Sequence, residues 1–152
     1  MSDGPILFYG VGDEFGCLSN FAPFPIQLRK RAWPTSEHYF QAQKFAGTVQ
    51  EEEIRRASSP MIAARMGRSR KHPIRKDWES AKDGIMMDAL RAKFTQHDEL
   101  KHILLDTGER RIVEHTPRDN YWADGGDGSG KNRLGELLMR LRSELRNAAT
   151  RV

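Results

Sequence analysis

The chain has 152 residues, a formal net charge of +4 and a single cysteine. Its length predicts one domain, residues 1–152, that can bury a core without covalent staples. One cysteine excludes an internal disulfide framework and a cysteine-based zinc site, and it favours a reducing compartment. No apolar run approaches the roughly 20 residues of a membrane span, and no secretory signal opens the chain. We therefore expect a cytoplasmic protein (or a nuclear one in a eukaryote) with no membrane partner.

The order of apolar and turn-forming residues predicts helices with a few short strands. Strands are predicted at residues 6–9, 26–30 and 111–114. Helices are predicted at residues 37–47, 49–57, 60–66, 77–96 and 100–105, and a last helix begins near Asn132. Because strands and helices do not alternate as they do around a parallel sheet, the expected fold class is α+β and helix-dominated.

Capping residues and apolar spacing predict the ends and faces of these helices. Thr35 or Ser36 is expected to cap the first helix and Asp77 the fourth, because short polar side chains accept hydrogen bonds from free N–H groups there. Gly47 and Gly67 are expected to end the first and third helices. Leucines at helical spacing predict that the last helix packs one face on the core: Leu134, Leu137, Leu138, Leu141 and Leu145.

The first predicted helix carries polar residues on one face and aromatic residues on the others. Glu37, Gln41 and Lys44 stand at i, i+4 and i+7 and therefore share a face. Glu37 and Lys44 are about 10 Å apart along the axis, too far for a simple helical salt bridge. A helix with this many aromatic residues is expected to be largely buried. Its polar face must then contact solvent, a partner or a cavity, because isolated buried charges are costly. The spacing leaves two interpretations open: a solvated stripe or one wall of a ligand site.

A second candidate segment follows the last predicted strand. Glu114, Asp119 and Trp122 bring two carboxylates and an aromatic ring towards one loop. Trp122 can stack on a base or a sugar, and Asp119 can act on a ribose or on a leaving group. In the structural alternative, Trp122 fastens the loop to the core and Asp119 caps a turn.

Four glycines precede the last helix: Gly125, Gly126, Gly128 and Gly130. Backbone N–H groups at the start of a helix form a natural phosphate site. Neither the dinucleotide-binding fingerprint nor the P-loop pattern is present. A surface loop without a ligand is the alternative interpretation.

Residues 55–76 include eight basic residues and no acidic one: Arg55, Arg56, Arg65, Arg68, Arg70, Lys71, Arg75 and Lys76. Such a segment faces either the phosphates of a nucleotide or nucleic acid, or only solvent. The five histidines are scattered without ligand spacing, so no metal site is expected. Cys17 is expected to be a buried thiol.

The motifs of the chain, taken in order, resemble the NADAR family, also called YbiA-like: GCLSNF, WPTSEHYFQAQKF, MGR, DW, MMDALRAKF, TPRDNYW and GKNRLGELLMRLR. The resemblance covers about residues 8–142 and predicts that family's fold as a single domain with its core at about residues 6–146. The loop after Trp122 departs from the family, whose members often continue with glycine where this chain has Ala123.

The resemblance implies an N-glycosidase that hydrolyses the bond between a ribose C1 and the nitrogen of a base. One implied substrate class is guanine carrying ADP-ribose, in DNA or free. The other is an early phosphorylated ribosylamino-pyrimidine of riboflavin synthesis. We favour the first because the basic segment suits two phosphates. Two alternatives from other classes are a module that binds ADP-ribose or nucleic acid without catalysis, and a basic structural domain on DNA.

The resemblance and the side-chain chemistry together assign the site. Catalytic roles are expected for Lys44, Glu37 and Asp119, and substrate-binding roles for Asn20, Gln41, Arg68, Trp78, Trp122, Gly128 and Asn132. Lys44 is expected to form a Schiff base with C1, with Glu37 or Asp119 shuttling protons. In the alternative mechanism Glu37 activates water and Lys44 only stabilises charge. No cofactor is expected, and the expected partners are an ADP-ribose-like or ribosyl-phosphate ligand and ADP-ribosylated DNA, bound by a monomer.

Overall fold

A computed structural model of the chain describes residues 4–150. Within this range the strands are β1 (Ile6–Phe8), β2 (Ile26–Leu28), β3 (Arg31–Trp33) and β4 (Ile112–Glu114). The helices are α1 (Ser36–Gln43), α2 (Val49–Arg55), α3 (Pro60–Arg68), α4 (Trp78–Gln96), α5 (Asp98–Asp106) and α6 (Arg133–Thr150), with a 3₁₀ turn at Gly16–Leu18. The expected α+β class, dominated by helices, is confirmed.

Contacts between Cα atoms divide the chain into two compact units. The first unit holds the residues up to Ala22 and those from His97 onward, and the second unit is Pro23–Gln96. The expectation of a single domain over residues 1–152 stays a prediction. Among residues 4–150, no helix has the combination of length and apolarity needed to cross a bilayer.

The first unit is organised around a parallel strand pair. β1 pairs with β4, with Ile6 opposite Ile112, and α6 packs against β4 and α5. The leucines of α6 are buried, as their spacing predicts: Leu134, Leu137, Leu138, Leu141 and Leu145. Gly135 allows α6 to approach β4 closely, because a Cβ there would lie 2.1 Å from the carbonyl oxygen of Ile112. α5 begins at Asp98, two residues before its predicted start.

The second unit opens with a β-hairpin that the sequence pattern does not reveal. The predicted single strand at residues 26–30 is wrong: β2 and β3 are antiparallel, and Arg29 and Lys30 form the turn between them. Both turn residues are left-handed, with φ of 54° and 65°. Such two-residue turns usually contain Asn-Gly or a similar pair, which is absent here. The indole N–H of Trp33 donates to the Leu28 carbonyl at 2.9 Å and closes the hairpin.

α1 is the central helix of the second unit, in contact with α2, α3 and α4. All eight of its residues are buried. Thr35 caps it as predicted, because its hydroxyl oxygen accepts the N–H of His38 at 3.1 Å. The helix ends at Gln43 rather than near Gly47, and a series of turns follows.

α3 continues to Arg68, so the prediction that Gly67 ends this helix is wrong. Gly67 is instead a contact residue. A Cβ built on it would lie 2.0 Å from Oε1 of Gln41 on α1. The absence of a side chain at this position therefore allows α3 to lie close to α1, next to the polar face of α1.

Candidate active site

Lys44 is the C-cap of α1 and is half-buried. Its Nζ donates a hydrogen bond to the carbonyl oxygen of Gly67 at 3.3 Å. It also lies 5.9 Å from the ring centroid of Phe40 and 5.7 Å from that of Trp78. This amine is therefore held between two aromatic rings and one backbone carbonyl, and these contacts by themselves stabilise a cation.

The pKa of Lys44 lies below its ordinary value, and burial is the largest cause. Glu37 opposes the shift and raises the pKa of Lys44, whereas the positive charges of Arg68 and Lys82 lower it. A lowered pKa increases the fraction of neutral amine near pH 7, and the neutral amine is the nucleophilic form.

Glu37 and Gln41 form a buried pair on the same helix. They are 8% and 5% exposed, respectively. Nε2 of Gln41 donates to Oε2 of Glu37 at 2.7 Å. Oε1 of Gln41 is buried and has no hydrogen-bond partner among the described residues. The interpretation of Glu37, Gln41 and Lys44 as a solvated stripe is therefore wrong, because two of the three are buried and the third is half-buried.

A cavity of about 530 Å³ opens beside Lys44, between the end of α3 and the start of α4. Lys44, Arg68 and Trp78 all line it, so the structure brings together three of the residues predicted for the site. Trp78 packs on Phe40 with ring centroids 5.1 Å apart, and it is 6% exposed. Its indole is thus a fixed wall of the cavity.

Arg70 and His72 also line this cavity, although no role was predicted for either. Both lie in the basic segment 55–76, which was the available signal. The segment carried no spacing that would separate cavity residues from surface residues. The structure makes this distinction because Arg70 and His72, which follow α3, line the cavity.

Other cations of the basic segment are paired with carboxylates. Arg55 and Arg56 both pair with Glu52, and these hydrogen bonds lower the pKa of Glu52 to about 2. Arg75 pairs with Asp77 at 2.6 Å. The charge that faces the cavity therefore comes from a few residues rather than from the whole segment.

Asp119 and Trp122 belong to the first unit. Oδ1 of Asp119 accepts the backbone N–H groups of Tyr121 and Trp122, each at 2.8 Å. Asp119 also lines a polar cavity of about 340 Å³ together with Arg118 and Asn120. It therefore caps a turn, as the structural alternative predicted, and borders a cavity as well. Trp122 is half-buried against Tyr121, with centroids 4.9 Å apart.

The side chain of Asn132 is buried and hydrogen-bonds to the backbone of β4. It is 1% exposed, its Oδ1 accepts the N–H of Glu114 at 3.0 Å, and its Nδ2 donates to the carbonyl of Ile112 at 2.9 Å. Its amide therefore ties the start of α6 to β4. Asn20 is also buried, whereas Gly128 is exposed with φ of 87°. The binding roles expected for these three residues stay predictions.

The glycine-rich loop satisfies several of its own donors. The N–H of Gly126 donates to Oδ1 of Asp124 at 2.8 Å, and the N–H of Gly130 donates to the Asp124 carbonyl at 2.7 Å. The N–H of Gly125 donates to the carbonyl of Asp119 at 3.0 Å. These groups are engaged within the loop, so its geometry agrees better with the structural alternative than with a phosphate cradle. Within residues 4–150 no cluster of three or more His, Cys, Asp or Glu side chains could hold a metal ion.

The family model described as the NADAR domain matches residues 7–146. This chain belongs to the NADAR family. The match spans both units and confirms the resemblance that the sequence motifs predict. The residues around Lys44 are thus those of a NADAR protein.

Curated relatives of this NADAR chain carry enzyme names. N-glycosidase YbiA of Escherichia coli is 59% identical over 145 residues, covering 95% of this chain and 91% of the relative. An N-glycosidase of Nostoc punctiforme is 41% identical, covering 93% of each chain. The NMR structure of E. coli YbiA matches with a TM-score of 0.92 and 56% identity, covering 100% of this chain and 90% of that chain. At the level of the family, the predicted enzyme class, a hydrolase of N-glycosyl bonds, is confirmed.

Two longer relatives are named as riboflavin biosynthesis proteins. The one from Vibrio vulnificus is 41% identical over 95% of this chain, which corresponds to 40% of the relative. The chloroplastic one from Zea mays is 43% identical over 92% of this chain and 25% of the relative. In these proteins a NADAR-like region is therefore part of a longer chain.

Proposed function

We propose that this NADAR chain is an N-glycosidase that cleaves a ribose C1–N bond through a covalent intermediate on Lys44. The observation that carries the proposal is the setting of Lys44. Its amine has a lowered pKa and lines a cavity together with Arg68 and Trp78. A nucleophile, a cation and an aromatic wall in one cavity suit a ligand with a sugar, a phosphate and a planar base.

In the proposed reaction, the neutral Nζ of Lys44 adds to C1 of the ring-opened imine form of the substrate. The base nitrogen takes up a proton and leaves with the electron pair of the former C1–N bond. Nζ and C1 are then joined as a Schiff base. One water adds to C1, the C1–Nζ bond breaks, and the sugar leaves as an aldehyde while the lysine amine is restored.

Glu37 is the proposed proton carrier on the side of α1. Gln41 fixes one carboxylate oxygen through the 2.7 Å hydrogen bond, and the electrostatic effect of Glu37 on Lys44 means that the two groups influence each other's charge. In the competing mechanism, Glu37 activates the water directly and Lys44 contributes only charge.

Borohydride reduction during turnover distinguishes the two mechanisms. A Schiff base on Lys44 is reduced to a stable secondary amine, and peptide mass spectrometry locates the added mass. Lys44→Arg is the matched variant because it keeps the positive charge and removes the nucleophile. We expect no adduct and no release of free base from this variant while it remains folded. Full activity of Lys44→Arg would establish direct hydrolysis.

For the substrate, we propose guanine carrying ADP-ribose, in DNA or as a free nucleotide. The support is the cationic lining of the cavity, where Arg68 and Arg70 lie beside Lys44. Two phosphates need more cations than one does. The pairing of Arg55, Arg56 and Arg75 with carboxylates limits this support to the residues that line the cavity.

The second candidate substrate is a ribosylamino-pyrimidine phosphate of riboflavin synthesis. The names of the relatives from Vibrio vulnificus and Zea mays favour it. Release of free base from both substrates, measured side by side at equal enzyme concentration, decides between them through the ratio of kcat/KM. Tight binding of ADP-ribose without cleavage of either substrate would instead identify a binding module.

A further inference from the structure

Ile74 is an exposed apolar residue in a polar and charged stretch of the second unit. It is 45% exposed, and it is the only large aliphatic residue among residues 68–77. A single exposed apolar side chain is common on protein surfaces and indicates nothing by itself. The location of Ile74 is informative, because this residue lines the same cavity as Lys44. No role was predicted for it.

Backbone hydrogen bonds fix the position of Ile74 relative to Lys44 and Trp78. The next residue, Arg75, donates its backbone N–H to the carbonyl oxygen of Lys44 at 2.8 Å, and its own carbonyl oxygen accepts the N–H of Trp78 at 3.3 Å. On the other side of Ile74, the ring of Pro73 restricts the backbone angle φ. Ile74 is therefore held next to the end of α1 and the start of α4, the two elements that contribute the amine and the indole.

The cavity combines a cationic part with an apolar part. Pro73, Ile74 and Trp78 supply the apolar part, and all of the lining residues belong to the second unit. The volume of about 530 Å³ is typical of a pocket for a small ligand. The sugar and the phosphate of a ribosylated base are polar, so the planar ring of the base is the portion that apolar side chains attract.

We infer that Ile74 is a substrate-binding residue that packs on the planar base of the substrate, beside the indole of Trp78. The inference rests on the proposed N-glycosidase activity. An aliphatic side chain contacts a ring by dispersion and by removing apolar surface from water, and it makes no hydrogen bond. Ile74 therefore binds a purine or pyrimidine ring as a flat apolar surface, and the contact is the same before and during cleavage of the C1–N bond.

Ile62 offers a comparison within the second unit. It is also an isoleucine, it is 39% exposed, and it lies on α3 outside the set of residues that line the cavity. Its backbone N–H donates to Oγ of Ser59 at 3.1 Å, and truncation of its side chain to alanine keeps this bond. The two isoleucines thus share a side chain and a similar exposure, and they differ in whether they line the cavity.

Ile74→Ala tests the contact with the base, and the substrate is whichever of the two candidates the wild type cleaves. Because the ring contacts Ile74 in both the ground state and the transition state, the variant is expected to raise KM about tenfold and to leave kcat within about twofold of the wild type. Ile74→Leu keeps an aliphatic side chain of the same size, so its KM is expected to stay within about threefold. Ile62→Ala is the matched control, with the kinetic constants of the wild type expected.

Ribose 5-phosphate distinguishes a contact with the base from an effect on the whole cavity. It carries the sugar and the phosphate without a base, and its inhibition of base release measures its binding. The inhibition constant of ribose 5-phosphate is expected to be the same for Ile74→Ala and the wild type. An equal rise in this constant and in KM would overturn the inference, because Ile74 would then determine the shape of the cavity and not the binding of the base.

A KM of Ile74→Ala within about threefold of the wild-type value would also overturn the inference. If the same variant dissociated a wild-type dimer in sedimentation, Ile74 would be assigned to contact with a second copy of the chain. Both outcomes leave the proposed function intact, because base release by the wild type measures it separately. Absence of base release by the wild type from either substrate would end the proposed function, and the inference with it.

Discussion

Gly67→Ala tests whether the close approach of α3 and α1 is needed for the site. A Cβ at this position would lie 2.0 Å from Oε1, 2.7 Å from Cδ and 2.9 Å from Cβ of Gln41. The amide oxygen must therefore move from 2.0 Å to at least about 3.0 Å, a displacement of about 1 Å. Because Gln41 is 5% exposed, it has little room for this movement.

Two opposing effects determine the stability of the Gly67→Ala variant. Replacing glycine by alanine inside a helix stabilises a protein by about 0.8–1 kcal/mol. Overpacking a buried contact costs about 1–3 kcal/mol. We expect the variant to be less stable than the wild type by up to about 2 kcal/mol. We also expect lower kcat/KM, because the Gln41 amide holds Glu37 and the carbonyl of Gly67 holds Lys44.

Gly84→Ala is the matched control. Gly84 lies within α4, and a Cβ there would meet no atom within 4 Å. The same substitution at this site is expected to raise stability by about 0.8–1 kcal/mol without changing activity. Urea unfolding and steady-state kinetics measure both variants. Equal stabilisation of both, with unchanged activity, would refute the role of Gly67 as a contact residue.

Further predictions concern the charge of Lys44, the carboxylate of Asp124 and the cap of α1. Glu37 raises the pKa of Lys44 and Arg68 lowers it. In the pH profile of kcat/KM, the rising limb is therefore expected to move to lower pH in Glu37→Gln and to higher pH in Arg68→Ala. Shifts of both variants in the same direction would contradict this electrostatic account. Hydrogen bonds hold the pKa of Asp124 below its value in the unfolded chain, so its contribution to stability is complete above about pH 4 and lost as the pH falls further. Asp124→Asn is therefore expected to lower the urea midpoint more at pH 7 than at acidic pH, and equal midpoints of the variant and the wild type at pH 7 would disprove it. Thr35→Ala, which removes the cap of α1, is expected to cost about 1 kcal/mol of unfolding free energy in urea, and no loss would show that the cap is unimportant.

Local signals in the sequence predicted the positions of the helices well, because apolar spacing is a property of each helix by itself. The leucine stripe of α6 and the cap at Thr35 depend on residues a few positions apart. The hairpin turn at Arg29 and Lys30 was not predicted, because its left-handed conformation comes from packing and not from a glycine. The course of α3 through Gly67 likewise depends on a contact with Gln41, which is distant in sequence.

The candidate site was predictable only where the chain itself places residues together. Glu37, Gln41 and Lys44 lie on one helix, so their proximity follows from helical geometry. The cavity beside Lys44 was not predictable in this way, because Arg68 and Trp78 come from other helices and no regular spacing relates them to Lys44. Regular spacing in the sequence identifies the residues of one helix face, but it does not identify residues that the fold brings together from different elements.

The position of Lys44 at the C-terminal end of α1 explains why several groups are needed to tune it. A helix C-terminus carries partial negative charge and stabilises a cation by about 0.3–1 kcal/mol. The Gly67 carbonyl and Glu37 act in the same direction. Burial, Arg68 and Lys82 act in the opposite direction, and against Glu37 they leave the pKa of Lys44 lowered. An anionic phosphate bound at Arg68 would cancel one of the groups that favour the neutral amine. A ligand that also excludes water from the cavity replaces that contribution, because the loss of solvent disfavours the ammonium form. In the proposed reaction, a substrate with both a phosphate and a base that excludes water is therefore better suited to activate Lys44 than free phosphate, which supplies only the opposing charge.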